Sequence, residues 1–295
     1  MSKNALLIAL NIFCIPLFSQ TTTEIDKLKT IVYTIAADSM QGREAGTAGE
    51  AKARNYILAC YEKIGLKPFH NSYTQKFSFP KDSSHTDTAT NIIGMIDNKA
   101  DSTIIIGAHY DHIGMGGPKS RSLTSNKIHP GADDNASGVA MMLELAEHFK
   151  MSKNKKFNYL FIAFSAEEEG LYGSQAFVND KNYKSLKVKL MLNLVMVGRL
   201  DKQRPLLKAM RDNRDNHFDS LLNKHTDKFS ITITDENLNF TDAGAFSKNK
   251  VPAVSFTTGL HDDYHKTSDT ADKINYDGML VITTYIENFI DGACK

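Results

Sequence analysis

The sequence predicts a single α/β domain with three layers, in which helices cover both faces of a mostly parallel sheet. Short apolar runs alternate with helical patterns along the chain. The runs at residues 104–106 and 159–164 are continuously apolar, which is typical of central strands covered on both faces. No repeat, low-complexity tract or Ser/Pro-rich linker divides the 295 residues, and this length suits one large domain.

Local patterns predict each element in turn. Residues 50–64 place their apolar side chains on one helical stripe, and Gly65 ends the helix. The stretch 201–216 is more polar and is assigned no strand, whereas 231–234 is predicted to be an edge strand. The predicted helices are 23–37, 50–64, 137–149 and 277–290, and the predicted strands are 73–79, 90–96, 103–108, 159–164, 189–197, 231–234 and 252–256.

Composition excludes several classes of protein. Hydrophobic residues make up 41% of the chain and charged residues 23%, which argues against a disordered or multispan membrane protein. Lys and Arg total 35 and Asp and Glu total 34, so the net charge of +1 gives no field that would draw the chain onto nucleic acid. The three cysteines cannot build a disulfide scaffold, and no CxxC pair offers a zinc knuckle. Any metal site must therefore use His and carboxylate side chains.

The first 20 residues predict a cleaved secretory signal. Lys3 supplies a positive start, and the apolar stretch 5–18 is shorter than the ~20 residues that a spanning helix needs. The alternative is a buried N-terminal helix, although Pro16 would break it. We therefore expect a signal peptide at 1–20, a mature domain at 21–295 without a membrane span, and a secreted or periplasmic protein.

Polar side chains follow the apolar strands at the points where the strands end. The candidate segments are 107–112, 130–135, 165–170 and 259–265, and two of them supply His while two supply adjacent acids. Taken singly, a lone histidine or an acidic pair is more often a surface residue or a helix cap than a ligand. In parallel sheets, however, ligands bind beyond the carboxyl ends of the strands. The convergence of these four segments on one edge of the sheet therefore predicts a metal site with a catalytic acid.

Four ordered motifs, GAHYDHIG, GADDNASG, AEEEGLYGS and DYHKTSDT, resemble those of the secreted zinc aminopeptidases with two co-catalytic metal ions. That superfamily also contains glutamate-carboxypeptidase-like enzymes and glutaminyl cyclases. The early stretch DSMQGREAGTAGEAKARNYI resembles the usual opening of bacterial members, so the resemblance covers roughly residues 38–277. It implies a zinc peptidase domain that acts on peptide substrates.

The resemblance implies a role for each matching residue. His109 would bind one zinc ion, and Asp133 would bridge both ions. Glu168 and His265 would hold the second ion. Glu167 would act as general base toward a water shared by the two cations.

Two further residues have implied roles near the metals. Asp111 would sit behind the cluster and orient a ligand. Tyr264 adjoins His265 and would either donate a hydrogen bond to the oxyanion or serve as a packed aromatic residue.

One position departs from the family pattern. Members usually read Asn-Leu-Asp-Met-Val-Gly-Arg on the next strand, where the Asp completes the first zinc site and helps to hold the substrate's amino terminus. This chain has Val195 at that position, within an otherwise intact frame. The site of His109 and Asp133 thus loses a ligand and a negative charge, and Asn193 offers only a neutral, weaker donor. We therefore expect one tight zinc ion and a second ion that is weak or absent.

Three functions stay open at this stage. The leading hypothesis is a secreted zinc-dependent exopeptidase, most simply an aminopeptidase with reduced activity. The second is a glutaminyl-cyclase-like acyltransferase with one zinc, against which stand the retained His109 and the absence of Trp. The third is a catalytically degenerate member that binds peptides. Pairing of Cys60 with Cys294, the preferred N-terminal residue and the oligomeric state are not predicted.

Overall fold

The fold is organised around a nine-stranded sheet, in a computed structural model that describes residues 17–123, 126–212, 216–224 and 227–293. The strands are β1 (Lys67–Pro68), β2 (Thr74–Pro80), β3 (Thr86–Ile96), β4 (Thr103–His109), β5 (Asn158–Phe164), β6 (Val188–Leu194), β7 (Leu206–Arg211), β8 (Ser230–Thr234) and β9 (Ala253–Thr257). The helices are α1 (Leu17–Ile35), α2 (Ala48–Ile64), α3 (Gly138–Met151), α4 (Tyr172–Asn179), α5 (Asp219–Leu222), α6 (Ala243–Lys248) and α7 (Tyr276–Ala293).

The centre of the sheet is parallel and its two sides are mixed. Strands β5, β4, β6 and β9 lie side by side in that order, all parallel. On one side β3 pairs antiparallel with β5 and carries β1 and β2. On the other side β7 is antiparallel to β9 and parallel to the edge strand β8. The carboxyl ends of the four central strands therefore meet along one edge.

Two hydrophobic cores cover the two faces of the sheet. Ile104 and Ile106 of β4 belong to the core that contains α1, α2, α3 and α7, whereas Ile105 belongs to the core that contains α4 and α6. Successive residues of a strand point to opposite faces, so a continuously apolar strand feeds both cores. The predicted α/β/α fold class is thus confirmed.

The sequence patterns located the long elements and missed the short ones. Every predicted helix and strand is present, although the strand predicted at 189–197 already ends at Leu194. Strand β7 lies in the stretch that was assigned no strand, because it buries Leu207 and Ala209 while the lysine between them stays exposed. Helices α4 and α6 span eight and six residues, too few to show a clear helical period.

Two predictions fall on residues that the structure does not describe. Most of the predicted signal peptide precedes residue 17, and Cys294 follows residue 293, so the Cys60–Cys294 pairing lies outside the described residues. Within the described ranges, no helix has both the length and the apolar character needed to span a bilayer.

A close contact between α3 and β6 determines where the loop of the candidate site lies. A Cβ atom added at Gly138 would collide with the carbonyl oxygen of Leu194 and the side-chain amide of Asn135. The glycine that closes the GADDNASG motif therefore lets the first turn of α3 pack directly on the end of β6. This contact places residues 131–137 over the carboxyl ends of the central strands.

Candidate metal centre

Asn135 fastens the 131–137 loop to two strands. Its side-chain amide nitrogen donates to the carbonyl oxygens of His109 at 3.2 Å and Leu194 at 2.9 Å, which end β4 and β6. Its side-chain oxygen accepts hydrogen bonds from the backbone nitrogens of Gly138 and Met196. Because one buried amide satisfies both strand ends, the loop has a fixed position over them.

Arg43, from the GREAGT stretch, fixes the same loop from behind. Its guanidinium is fully buried and donates to the carbonyl oxygens of Ile35, Tyr110, Pro130 and Gly131 at 2.6–3.0 Å. These acceptors belong to α1, the end of β4 and the start of the loop. A planar guanidinium can serve several acceptors in fixed directions, which a lysine cannot do.

His109 ends β4 with its ring buried and oriented. Its Nδ1 lies 3.2 Å from the backbone oxygen of Asp111. This contact favours the tautomer in which Nδ1–H donates to that oxygen and Nε2 carries a free lone pair. Nε2 faces Oδ1 of Asp134 at 3.3 Å. The Asp111 carboxylate lies 3.8 Å behind the ring and accepts the backbone N–H groups of Glu167 and Glu168. Asp111 thus joins the loop that follows β4 (the β4 loop) to the loop that follows β5 (the β5 loop), behind the cluster.

Asp134 is the carboxylate at the centre of the cluster. Its Oδ1 faces His109, while its Oδ2 lies 3.3 Å from Nε2 of His265 and 3.8 Å from Nδ1 of His112. Burial alone would raise the pKa of Asp134, but the close contacts with His109 and His265 and the charge of His112 hold it well below its usual range. Asp134 is therefore ionised and presents one oxygen to each side.

Asp133 points the other way, which corrects the sequence-based expectation that it bridges two ions. Its Oδ1 accepts the backbone N–H of Gly198 at 2.6 Å, and its Oδ2 lies 3.1 Å from Nε2 of His261. Its backbone N–H donates to Asp269. Because these contacts hold the Asp133 carboxylate behind the loop, the central position belongs to Asp134.

Glu168 and His265 complete one side of the cluster. Glu168 offers Oε2 to Nε2 of His265 at 3.2 Å and Oε1 to Nδ1 of His112 at 3.0 Å. Nδ1 of His265 lies 3.1 Å from the backbone oxygen of Lys119, so its Nε2 is free to face the cluster. Burial alone would lower the pKa of His265, but the close contacts with the carboxylates of Asp134 and Glu168 raise it to about 10.

Glu167 adjoins this cluster without joining it. Its carboxylate accepts no hydrogen bond from any residue in the described ranges, and the side chain stays partly exposed. Burial, reinforced by the charges of Glu168 and Asp242, raises the pKa of Glu167 well above its usual range. A carboxyl group with a raised pKa and no hydrogen-bond partner is suited to take up a proton and to release it again.

Tyr264 packs at the rim of the cluster. Its ring stacks on His265 with 4.0 Å between ring centroids, and the guanidinium carbon of Arg121 lies 4.7 Å from the centroid of the Tyr264 ring. Burial raises the pKa of the Tyr264 hydroxyl, with the charges of Asp134 and Glu168 adding to the effect. The hydroxyl therefore keeps its proton and can act only as a neutral donor.

Val195 leaves the His109 side without the carboxylate that the resemblance implies at this position. The residue follows β6 directly, and its side chain packs against the core that contains α4 and α6. Asn193 offers no carboxylate in its place: its amide nitrogen donates to Ser255, and its side-chain oxygen, which has no hydrogen-bond partner among the described residues, is a neutral and weaker donor. On this side the predicted ligand His109 faces Oδ1 of Asp134, which was not among the predicted ligands.

The sequence analysis missed two buried residues of the site. His112 contacts Glu168 from inside the cluster, and its place three residues after His109 in the GAHYDHIG motif was the available signal. Asp242 precedes α6 and is fully buried, and both of its carboxylate oxygens lack a hydrogen-bond partner. Burial raises the pKa of Asp242 to about 6, while His109 opposes the rise. Asp242 thus adds negative charge near the His109 side.

The donor set fits a zinc ion. Oδ2 of Asp134 and Nε2 of His265 are buried atoms without a hydrogen-bond partner. Nδ1 of His112, an oxygen of Asp134 and an oxygen of Glu168 lie within 4.8 Å of one another. Imidazole nitrogen and carboxylate oxygen are the ligands that zinc accepts at about 2.0–2.2 Å. A cation here would satisfy the unpartnered atoms and offset the repulsion between the carboxylates.

An α/β/α sheet with a carboxylate–histidine cluster beyond its central strands defines the class of zinc-peptidase-like domains. Within that class, the chain belongs to peptidase family M28, which matches residues 91–290.

Individual relatives agree with this membership. A probable leucine aminopeptidase from Trichophyton verrucosum is 29% identical over 202 residues, which are 64% of this chain and 53% of that protein. The chain thus spans about half the length of the first curated relatives it matches.

Solved structures share the fold at lower identity. A zinc aminopeptidase from Bacillus subtilis has a TM-score of 0.72 at 17% identity and covers 91% of this chain and 95% of its own. A glutaminyl cyclase from Bacteroides thetaiotaomicron has the same TM-score and identity and covers 90% of this chain and 97% of its own. At this identity the likeness shows the fold alone.

The two neighbouring aspartates give a matched pair of variants. We expect Asp134→Asn to weaken zinc binding by at least about 100-fold, since loss even of a group that only supports a ligand costs about 10–100-fold. Asp133→Asn keeps an oxygen for the Gly198 N–H and should change zinc affinity by only a few fold. Competition with a chromophoric chelator measures both, with circular dichroism as the check on folding. A larger loss for Asp133→Asn would contradict the assignment of Asp134.

Proposed function

We propose that this protein is a zinc-dependent aminopeptidase. The observation that carries the proposal is the convergence of Asp134, Glu168 and His265 around one point, with 3.2–3.3 Å between the histidine nitrogen and each carboxylate. Membership of peptidase family M28 supports a hydrolytic use of that centre. Peptides are therefore the proposed substrates.

Asp134, Glu168 and His265 are the proposed ligands of the tight zinc ion. His109 and Oδ1 of Asp134 would offer a second, weaker position on the opposite side. Bound zinc supplies Lewis-acid polarisation of the scissile carbonyl and lowers the pKa of a water to about 7. Asp111 holds two groups in place: its backbone oxygen contacts Nδ1 of His109, and its carboxylate accepts the backbone N–H of Glu168.

Glu167 is the proposed general base. Its carboxylate is unengaged, adjoins the ligand Glu168 in sequence and has a raised pKa, so it is suited to take a proton from the attacking water. It would then hold that proton and deliver it to the departing amine. Tyr264, whose hydroxyl stays protonated, is the candidate hydrogen-bond donor to the developing oxyanion.

Neighbouring glutamates separate catalysis from metal binding. Glu167→Gln should lower kcat by about 10²–10⁴-fold, because a general base contributes that much, while bound zinc is unchanged. Glu169→Gln is the control, since Glu169 pairs with Lys81 and Lys119 outside the cluster and its loss should leave kcat near the parent value. Aminoacyl chromogenic substrates measure kcat, and atomic spectrometry measures zinc. Loss of zinc together with activity in Glu167→Gln would make Glu167 a ligand instead.

The same assay separates the competing functions. Release of free amino acids that depends on zinc supports the aminopeptidase. Cyclisation of glutaminyl peptides without peptidase activity would favour an acyltransferase, and absence of both with a correctly loaded centre would favour a peptide-binding protein.

Val195 should limit the peptidase activity because it weakens the second zinc position, the one beside His109. We propose that the unmodified protein holds one tight zinc ion and has low peptidase activity that rises with added zinc. The side of His109 has one imidazole and one shared carboxylate oxygen, which is too few protein ligands for tight binding.

Restoring a carboxylate at this position tests that limit. Val195→Asp should bind a second zinc ion per chain and raise the peptidase rate, whereas Val195→Asn, nearly identical in shape but uncharged, should do neither. Zinc content after dialysis and initial rates, measured side by side on all three proteins, decide the matter. Two tight zinc ions on the unmodified protein would show that another ligand replaces the missing carboxylate.

Secretion is proposed from the N-terminal sequence. The positive start at Lys3 and the apolar stretch 5–18 are typical of a signal that is removed on export. N-terminal sequencing of the protein from its native host should begin near Thr21. An intact Met1 on protein retained inside the cell would contradict the proposal.

A further inference from the structure

The imidazole of His112 lies inside the donor cluster rather than beside it. The side chain is completely buried, and the backbone N–H donates to the carbonyl oxygen of Arg43 at 3.2 Å. Its ring meets the ring of His265 edge-on, with 5.6 Å between centroids and 84° between planes. The two imidazoles therefore approach the carboxylates of Asp134 and Glu168 from different directions.

Four separations among four side chains, between 3.0 and 3.8 Å, scatter around the edge length of a zinc tetrahedron. With ligand distances of about 2.0–2.2 Å, the ligand atoms of such a site lie about 3.3–3.6 Å apart. Nδ1 of His112 lies 3.0 Å from Oε1 of Glu168 and 3.8 Å from Oδ2 of Asp134. Nε2 of His265 lies 3.2 Å from Oε2 of Glu168 and 3.3 Å from the same Oδ2 of Asp134. Since the proposed function places zinc at this point, we propose that His112 is a fourth protein ligand of that ion.

The alternative role for His112 explains less. If Nδ1 only donated a hydrogen bond to Glu168, then Oδ2 of Asp134 and Nε2 of His265, which lie 3.3 Å apart, would still make no well-aligned hydrogen bond among the residues described. Nε2 of His112 has no partner in either arrangement, so it does not separate the two. One ion shared by all four side chains engages each of the atoms that face the cluster.

A four-ligand site has consequences for metal number and reactivity. The charges of Asp134 and Glu168 balance one divalent ion, and two imidazoles complete a tetrahedron. Structural zinc sites in proteins are closed in this way, whereas catalytic sites keep a position open. The protein would therefore hold its single ion tightly, and substrate or water would have to enter as a fifth ligand or displace His112. This arrangement and the loss at Val195 both favour a one-ion centre of low activity.

X-ray absorption at the zinc edge tests the coordination directly. Protein loaded with one equivalent of zinc should show two imidazoles per zinc, and His112→Asn should show one, with zinc affinity lowered by at least about 100-fold. His109→Asn is the control and should keep two, because His109 lies on the opposite side of Asp134. One imidazole in the unmodified protein, or an unchanged count in His112→Asn, overturns the proposal and leaves His112 as a hydrogen-bond partner of Glu168.

The outcomes separate this inference from the proposed function. If His112→Asn fails to fold, the count on the unmodified protein decides the question by itself. Two imidazoles on a protein without peptidase activity would refute the proposed aminopeptidase while supporting the four-ligand site. One imidazole on an active peptidase would do the reverse, and a chain that binds no zinc would refute both.

Discussion

The burial of several carboxylates at one edge of the sheet is the constraint on which the rest of the site depends. Asp111, Asp134, Glu168 and Asp242 lie within a region from which water is largely excluded, where like charges repel strongly. Burial raises the pKa of Asp111 to about 7. For Glu168 burial acts in the same direction, but contacts with the imidazoles of His112 and His265 outweigh it and hold the pKa at about 2. Positive charge must therefore be supplied from fixed positions.

Arg43 supplies part of that charge through the fold itself. Burial lowers the pKa of its guanidinium to about 10, and Asp134 and Asp111 oppose the fall, so Arg43 stays charged at neutral pH. Its hydrogen bonds go to backbone carbonyls rather than to the acids, so it neutralises them without occupying their oxygens. Asp269 performs the complementary task, because it accepts the backbone N–H groups of Asp133 and Asp134. The orientation of the central carboxylate is thus set before any ion binds.

Most of the strands and helices could be predicted from the sequence, because side-chain directions repeat with a fixed period along each of them. The continuous apolar run of β4 and the stripe on α2 follow directly from that physics. The choice between Asp133 and Asp134 did not, since both lie in an irregular loop where no period assigns a direction to a side chain. Their different orientations come from contacts made by residues far along the chain, Gly198 and His261 for one and His265 for the other.

His112 escaped prediction for a related reason. The motif resemblance implied ligands at His109, Asp133, Glu168 and His265, and His112 is not one of these positions. Its approach to Glu168 depends on how the β4 loop turns after Asp111, which is decided by hydrogen bonds to the β5 loop. Val195 was visible from sequence because a hydrophobic residue interrupts an otherwise matching frame. The structure adds that its side chain packs into the core.

The central claim is that these residues form a centre for one zinc ion on the side of Glu168 and His265. Diffraction from zinc-loaded crystals, recorded above and below the zinc absorption edge, locates such ions without reference to activity. The account predicts one strong anomalous peak between Asp134, Glu168 and His265. Two peaks of equal height about 3.5–4 Å apart, as in two-metal hydrolases, would contradict it.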